Sequence, residues 1–256
     1  MFMKRYFFKP NSLSKFLVAV ALIALTGMIK AQNIQFHYDF GRHMYNDISE
    51  RYSTLITIEF FKPDRWGNTY CFTDITNYGD GCAGAYWELF REFDVTKNKQ
   101  WAVHVEYDGG ASSIKNTADA TRYQHAALAG MAWNWASKDF AKTFSVRAMY
   151  KQYFNGMYRK GFAGAQLTFV WGINFANQLL TFSGFWDTWY DPDVNGKLII
   201  LTQPQFWVNF NALRGMKNIN LSVGTEVEFS NNFIFNKYGN NTQCFCIPTI
   251  AAKWTF

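Results

Sequence analysis

From Gln32 onward the chain alternates apolar and polar residues with period two, in segments of roughly 8 to 15 residues broken by turn signals. A helical period of 3.6 never takes over, so the chain must build from half-buried strands. Twelve are predicted: Asn33–Gly41, Arg51–Phe61, Gly67–Ile75, Ala85–Phe93, Lys99–Tyr107, Arg122–Trp135, Ala141–Tyr153, Gly161–Phe175, Leu179–Trp189, Lys197–Leu213, Ile219–Phe229 and Thr242–Phe256. Connections after even-numbered strands are short, as at 62–66, 94–98 and 176–178, whereas those after odd-numbered strands are mostly longer, as at 42–50, 108–121 and 230–241. An even number of strands with short turns at one end and long loops at the other is the plan of an outer-membrane barrel, and a soluble sandwich has no reason for it. The expected fold is therefore all-β, a twelve-stranded antiparallel transmembrane β-barrel of the bacterial outer membrane.

The last strand supports this. Ile250, Ala252, Trp254 and terminal Phe256 share one face, while Thr249, Ala251, Lys253 and Thr255 share the other. Apolar out and polar in is the sense a lipid-facing strand requires. Composition agrees: 26 Phe, 14 Tyr and 10 Trp make the chain 20% aromatic against 17% charged, too apolar for disorder.

The first thirty-one residues read differently. Lys4, Arg5, Lys9 and Lys15 precede the apolar run 16–27, and a short polar stretch leads to Ala31. Twelve residues of helix span about 18 Å against a hydrocarbon core of roughly 30 Å, so this is a secretory signal peptide and not an anchor. Residues 1–31 are expected to be cleaved, leaving 32–256 as a single barrel domain. That segment carries five cations and no acid, so its removal lowers the formal charge from +6 to +1. No basic stripe for nucleic acid remains.

The run Glu59-Phe60-Phe61-Lys62-Pro63-Asp64-Arg65-Trp66-Gly67, followed by Thr69-Tyr70-Cys71-Phe72-Thr73-Asp74, resembles the nucleoside-specific channel (Tsx-like) superfamily of outer-membrane porins. Tyr86-Trp87-Glu88 leading to Arg91, Gly184-Phe185-Trp186-Asp187 and the terminal Trp254-Thr255-Phe256 are similar in the same order. The first strand, 34–41, and the shorter loops depart from that family, which points to a separate branch of it. The resemblance implies a twelve-stranded outer-membrane barrel and a nucleoside permeant.

A charge facing the bilayer midplane is costly, so Glu59 is expected inside with Ser53, Thr57 and Phe61, and Tyr52, Thr54, Ile56, Ile58 and Phe60 toward lipid. The same rule turns Tyr70, Phe72 and Asp74, then Tyr86, Glu88 and Phe90, then Phe185, Asp187 and Trp189 inward. Glu59, Tyr70, Phe72, Asp74, Tyr86, Glu88, Phe185 and Asp187 are the candidate substrate-binding residues. Rings stack a base, and carboxylates accept hydrogen bonds from ribose hydroxyls. His104, Glu106, Arg147, Lys151, Glu226 and Glu228 also face in, and Glu106, Arg147, Lys151, Glu226 and Glu228, joined by Lys253, are expected to form a lumenal charge network.

His37, His43, His104 and His125 are scattered without ligand spacing, so neither metal nor cofactor is expected. Cys71 and Cys82 flank an outer loop where a disulfide is allowed, whereas Cys244 and Cys246 lie two apart on one face and are poorly placed to bridge. No Gly-x-Ser-x-Gly motif is present, and no enzyme is expected. The leading function is selective diffusion of small solutes. A non-conducting barrel that scaffolds the envelope and an outer-membrane lipid hydrolase are the alternatives. Expected partners are outer-membrane lipid, the permeant, and the barrel-assembly machinery through the C-terminal Phe256.

Overall fold

The computed structural model describes residues 32–77, 83–113, 120–156, 159–192 and 197–256. The segment 1–31 read as a signal peptide, together with Cys82, lies outside the described residues. The strands are β1 (Gln32–Asp39), β2 (Thr54–Asp64), β3 (Gly67–Asn77), β4 (Ala83–Asp94), β5 (Trp101–Ser113), β6 (Ala120–Arg122) and β7 (Ala126–Ala136). They continue as β8 (Lys142–Tyr153), β9 (Ala163–Phe175), β10 (Leu180–Tyr190), β11 (Leu198–Thr202), β12 (Gln205–Asn209), β13 (Leu221–Asn231) and β14 (Cys244–Thr255). Neighbouring strands pair antiparallel, and β1 also pairs with β14, with Tyr38 opposite Ile250 and Asn33 opposite Thr255. The sheet is thus closed, leaving no edge with unpaired backbone groups, as a lipid environment demands.

Fourteen strands make twelve staves because two staves are interrupted. β6 and β7 both pair with β5 and form one stave, broken at Tyr123–His125. The neighbouring Gly110 leaves room for a ring there: a Cβ on it would lie 2.2 Å from Tyr123 Cδ2. β11 and β12 form another, both pairing with β10 and β13, and broken at Gln203–Pro204 where proline lacks the N–H a central ladder needs. Opposite this break Gly184 has φ +151°, and a Cβ would meet the Gln203 carbonyl at 2.6 Å. The sequence reading had one unbroken strand to Leu213 here. Instead Phe210–Ala212 forms a single 3-10 turn, so that stave is shorter.

Burial along β5 is inverted relative to a soluble protein. Trp101, Val103, Val105 and Tyr107 are exposed, whereas Ala102, His104, Glu106 and Asp108 are buried. Only lipid outside and a polar lumen make that arrangement stable. Exposed aromatic residues gather at both rims. Trp66, Trp101, Phe140, Phe175, Trp254 and Phe256 lie at the short-turn end, and Tyr150, Tyr190, Phe229, Phe235 and Tyr238 at the other, giving the two girdles of a membrane barrel.

The connection between β1 and β2 folds back into the outer mouth as a strap. It contains α1 (Gly41–Met44) and a 3-10 turn at Asn46–Ile48. Ile48 packs on Phe245 and Ile247 from the inner face of β14, and the Tyr45 hydroxyl donates to the Cys246 carbonyl at 3.2 Å. Arg51 pins the strap to the wall, donating to Asp39 at 3.1 Å and to Glu228 at 2.9 Å. Tyr52, expected to face lipid, belongs to this strap. It precedes β2, is free of that strand's alternation, and its hydroxyl accepts from Arg51 at 2.7 Å.

Cys71 stands mid-strand in β3 opposite Leu89; its expected disulfide partner Cys82 lies outside the described residues.

Candidate functional site

The inner wall of β3 and β4 carries an aromatic ladder. Its order follows from the register, which sets Tyr70 against Phe90, Phe72 against Glu88, and Asp74 against Tyr86. From the outer mouth inward run Tyr123, Tyr86, Phe72, Tyr70 and Phe90, with successive ring centroids 6.2, 6.0, 6.1 and 5.1 Å apart. The His104 ring continues the series 4.8 Å from Phe90. Carboxylates flank the rungs. Glu59 accepts from Asn33 Nδ2 at 2.6 Å and from the Tyr70 hydroxyl at 3.1 Å. Asp74 accepts from Thr57 at 2.6 Å, and Glu88 from the Tyr86 hydroxyl at 2.8 Å. Hydroxyl and amide donors thus hold the acids in place.

Phe185 and Asp187 stand on β10, a different wall. Asp187 accepts from the Thr168 hydroxyl. Of the eight candidate substrate residues, six therefore form one continuous surface and two stand apart on β10.

The charge network is two separate groups. On β4, β5 and β8, Glu92 accepts from Arg147 Nε at 3.1 Å, Asn68 at 3.0 Å and Asn134 at 2.8 Å. His104 lies between Glu92 at 3.2 Å and Glu106 at 2.8 Å. Two carboxylates accepting from one ring require hydrogen on both nitrogens, which the imidazolium supplies. Lys151 pairs with Asp108 at 3.1 Å and donates to Gln166 at 2.8 Å, adding to this group. Glu226 and Glu228 belong elsewhere, on β13. Glu226 accepts from Gln205 at 2.6 Å, and Glu228 from Arg51 in the strap. Lys253 does not join the first group either; its ammonium sits 4.1 Å over the Trp207 ring.

Glu92, Asp108 and Trp207 were missing from the sequence reading. The first two continue the inward parity of 88, 90 and 104, 106: Glu92 lies inside the predicted strand Ala85–Phe93, and Asp108 one residue beyond Lys99–Tyr107. Glu88, Glu106 and Asp108 place carboxylate oxygens within 4.8 Å of one another, close enough to hold a hard cation. The Lys151 ammonium already supplies counter-charge there, so we assign no ion.

With this geometry in place, the chain can be set beside known proteins. A family profile matches residues 31–256, the whole of the barrel. The chain belongs to the DUF5020 family, described as a domain of unknown function. No curated protein matches this DUF5020 chain. Among solved structures, the NanC porin superposes with a TM-score of 0.54 at 11% identity, covering 88% of this chain and 100% of that one. The KdgM porin gives 0.49 at 8% identity, covering 88% and 99%, and LpxR from Salmonella typhimurium 0.47 at 9%, covering 88% and 100%. The NanC likeness shows the fold, a small outer-membrane barrel. Together with the apolar exterior and two girdles, it places the DUF5020 chain in a bacterial outer membrane. The likeness to nucleoside channels rests on the sequence segments alone.

Proposed function

We propose that the barrel is an outer-membrane channel for small neutral solutes bearing an aromatic ring, with nucleosides the leading candidate. The aromatic ladder carries this reading: Tyr86, Phe72, Tyr70 and Phe90 line one inner wall at ring spacings of 5.1–6.1 Å, with Glu59, Asp74 and Glu88 beside them. Stacking contributes about 1–3 kcal/mol per base, a site weak enough to release its solute, as conduction requires. The acids accept from ribose hydroxyls and repel phosphate.

Planar-bilayer recording tests it. Nucleosides are expected to reduce the ion current reversibly and nucleoside monophosphates to do so less. Combining Asp74→Ala with Glu88→Ala should blunt the block. Current that nucleosides leave untouched would refute the substrate while leaving the channel.

A second reading, a closed scaffolding barrel, draws on the strap pinned by Arg51 and on Trp207 and His104, both with no solvent exposure. Absence of conductance under every condition would favour it. A lipid hydrolase, the third reading, predicts fatty-acid release from outer-membrane lipid by the purified protein.

The role of the C-terminus is a proposal of the same kind. Phe256, exposed beside Trp254 at the short-turn rim, is read as the assembly signal. Deleting it should lower the yield of folded, heat-modifiable barrel in cells severalfold. Unchanged yield would show that the tail is not read.

A further inference from the structure

Charge is distributed unevenly along the barrel axis. The short-turn rim carries, in or directly beside its turns, Lys62 and Arg65 at β2–β3, Lys97 and Lys99 at β4–β5, Lys138 and Lys142 at β7–β8, and Arg214 and Lys217 at β12–β13, all exposed. Four of the five turns are thus flanked or occupied by two cations each. Three acids share this rim. Asp64 is taken by Arg91 at 2.8 Å and Asp94 by Lys99 at 3.3 Å. The Ser137 hydroxyl and the Ala141 amide hold the Asp139 carboxyl below its ordinary range. Apart from Lys99, none of the eight cations has an ion-pair partner among the described residues. The opposite rim mixes Arg42, Arg159, Lys160, Lys197 and Lys237 with Asp47, Glu50 and Asp191, and Arg159 pairs with Asp191.

The cations also sit at a definite depth. They flank the exposed rings Trp66, Trp101, Phe140 and Phe144, and the Arg65 guanidinium lies 4.5 Å over the Trp66 ring. Leu213, Met216 and Ile219 are exposed around Arg214 and Lys217 in the one long turn. Rings and aliphatic side chains at the headgroup level with cations just beyond them form an interfacial anchor. In an outer-membrane barrel the short turns are periplasmic, so this rim meets the inner leaflet.

We infer that the short-turn rim is a collar that binds the headgroups of anionic phospholipid in the inner leaflet. The distribution favours lipid over a docked macromolecule. Paired cations recur in four turns around the perimeter, where an annulus of headgroups meets each turn alike, whereas a single protein would select one side. A cation beside an anionic surface gains roughly fivefold in association, and the gain is lost to screening in salt.

The test uses the refolded barrel in nanodiscs of mixed phosphatidylcholine and phosphatidylglycerol, with the lipids retained on gentle ejection counted by native mass spectrometry. Wild type is expected to retain phosphatidylglycerol about fivefold over its bulk fraction at low salt. The variant combining Arg65→Gln, Lys97→Gln, Lys138→Gln and Lys142→Gln should fall to near parity. Neutralising Lys160, Lys197 and Lys237 at the other rim should leave the enrichment unchanged. Should the fourfold variant not fold, the Arg65/Lys97 and Lys138/Lys142 pairs, each checked for heat modifiability, should each remove part of the enrichment. Equal retention of both lipids by wild type, or enrichment that survives neutralisation of the collar, would overturn the inference. So would binding of soluble anionic glycan or protein by a wild type indifferent to lipid.

Discussion

Replacing Glu92 by alanine is expected to destabilise the folded barrel by about 3–5 kcal/mol, the cost of leaving a buried charge without its partner. Glu92 is 1% exposed and accepts from Asn68, His104, Asn134 and Arg147, one donor from each of β3, β5, β7 and β8. Among the described residues no other side chain ties together as many staves. Without it Arg147 keeps its position 4.3 Å over the Phe90 ring, and His104 keeps Glu106 and its ring contact with Phe90. Urea unfolding in lipid vesicles measures the effect, and adding Arg147→Met should recover part of it through a coupling of about 0.5–3 kcal/mol. A loss below about 1 kcal/mol would mean that water replaces the carboxylate. The inner half of the lumen would then be wet, which bears directly on whether the barrel conducts.

The stave pattern was legible because lipid and lumen sort side chains with period two, and every strand had to obey the rule. Glu59, Asp74, Glu88 and Asp187 fixed the inner face of four strands by cost alone, and the hydrogen bonds to Tyr70, Thr57, Tyr86 and Thr168 follow that parity. What escaped was non-periodic. The two breaks depend on contacts between strands, Tyr123 over Gly110 and the Gln203 carbonyl against Gly184, which no local pattern reports. The strap escaped for the same reason: Arg51 and Asp39 are near in sequence, but Glu228 is 177 residues away. Parity alone groups the inward charges into one network because it says which residues face in and is silent on which stave opposes which. Glu226 and Glu228, on β13, therefore fell into a group with Arg147 and Lys151 that they do not join.

The parity rule itself makes the second large prediction. Ile58 lies at the middle of β2, opposite Ile34 on β1 and Thr73 on β3, with its side chain outward. Ile58→Arg places a guanidinium near the bilayer midplane and should destabilise by about 2–4 kcal/mol. Thr57, one residue earlier, donates to Asp74 inside the lumen. Thr57→Arg loses that hydrogen bond but sets a cation among Asp74 and Glu59, so the cost should be well below that at Ile58. Unfolding of both variants in the same vesicles gives the comparison. The order carries the information, because a one-residue slip exchanges every lipid-facing and lumenal side chain on the strand. If Thr57→Arg proved the more damaging, β2 would be out of register, and the ladder of Tyr70, Phe72 and Phe90, whose inward sense is tied to it through Glu59 and Tyr70, would face lipid instead of solute.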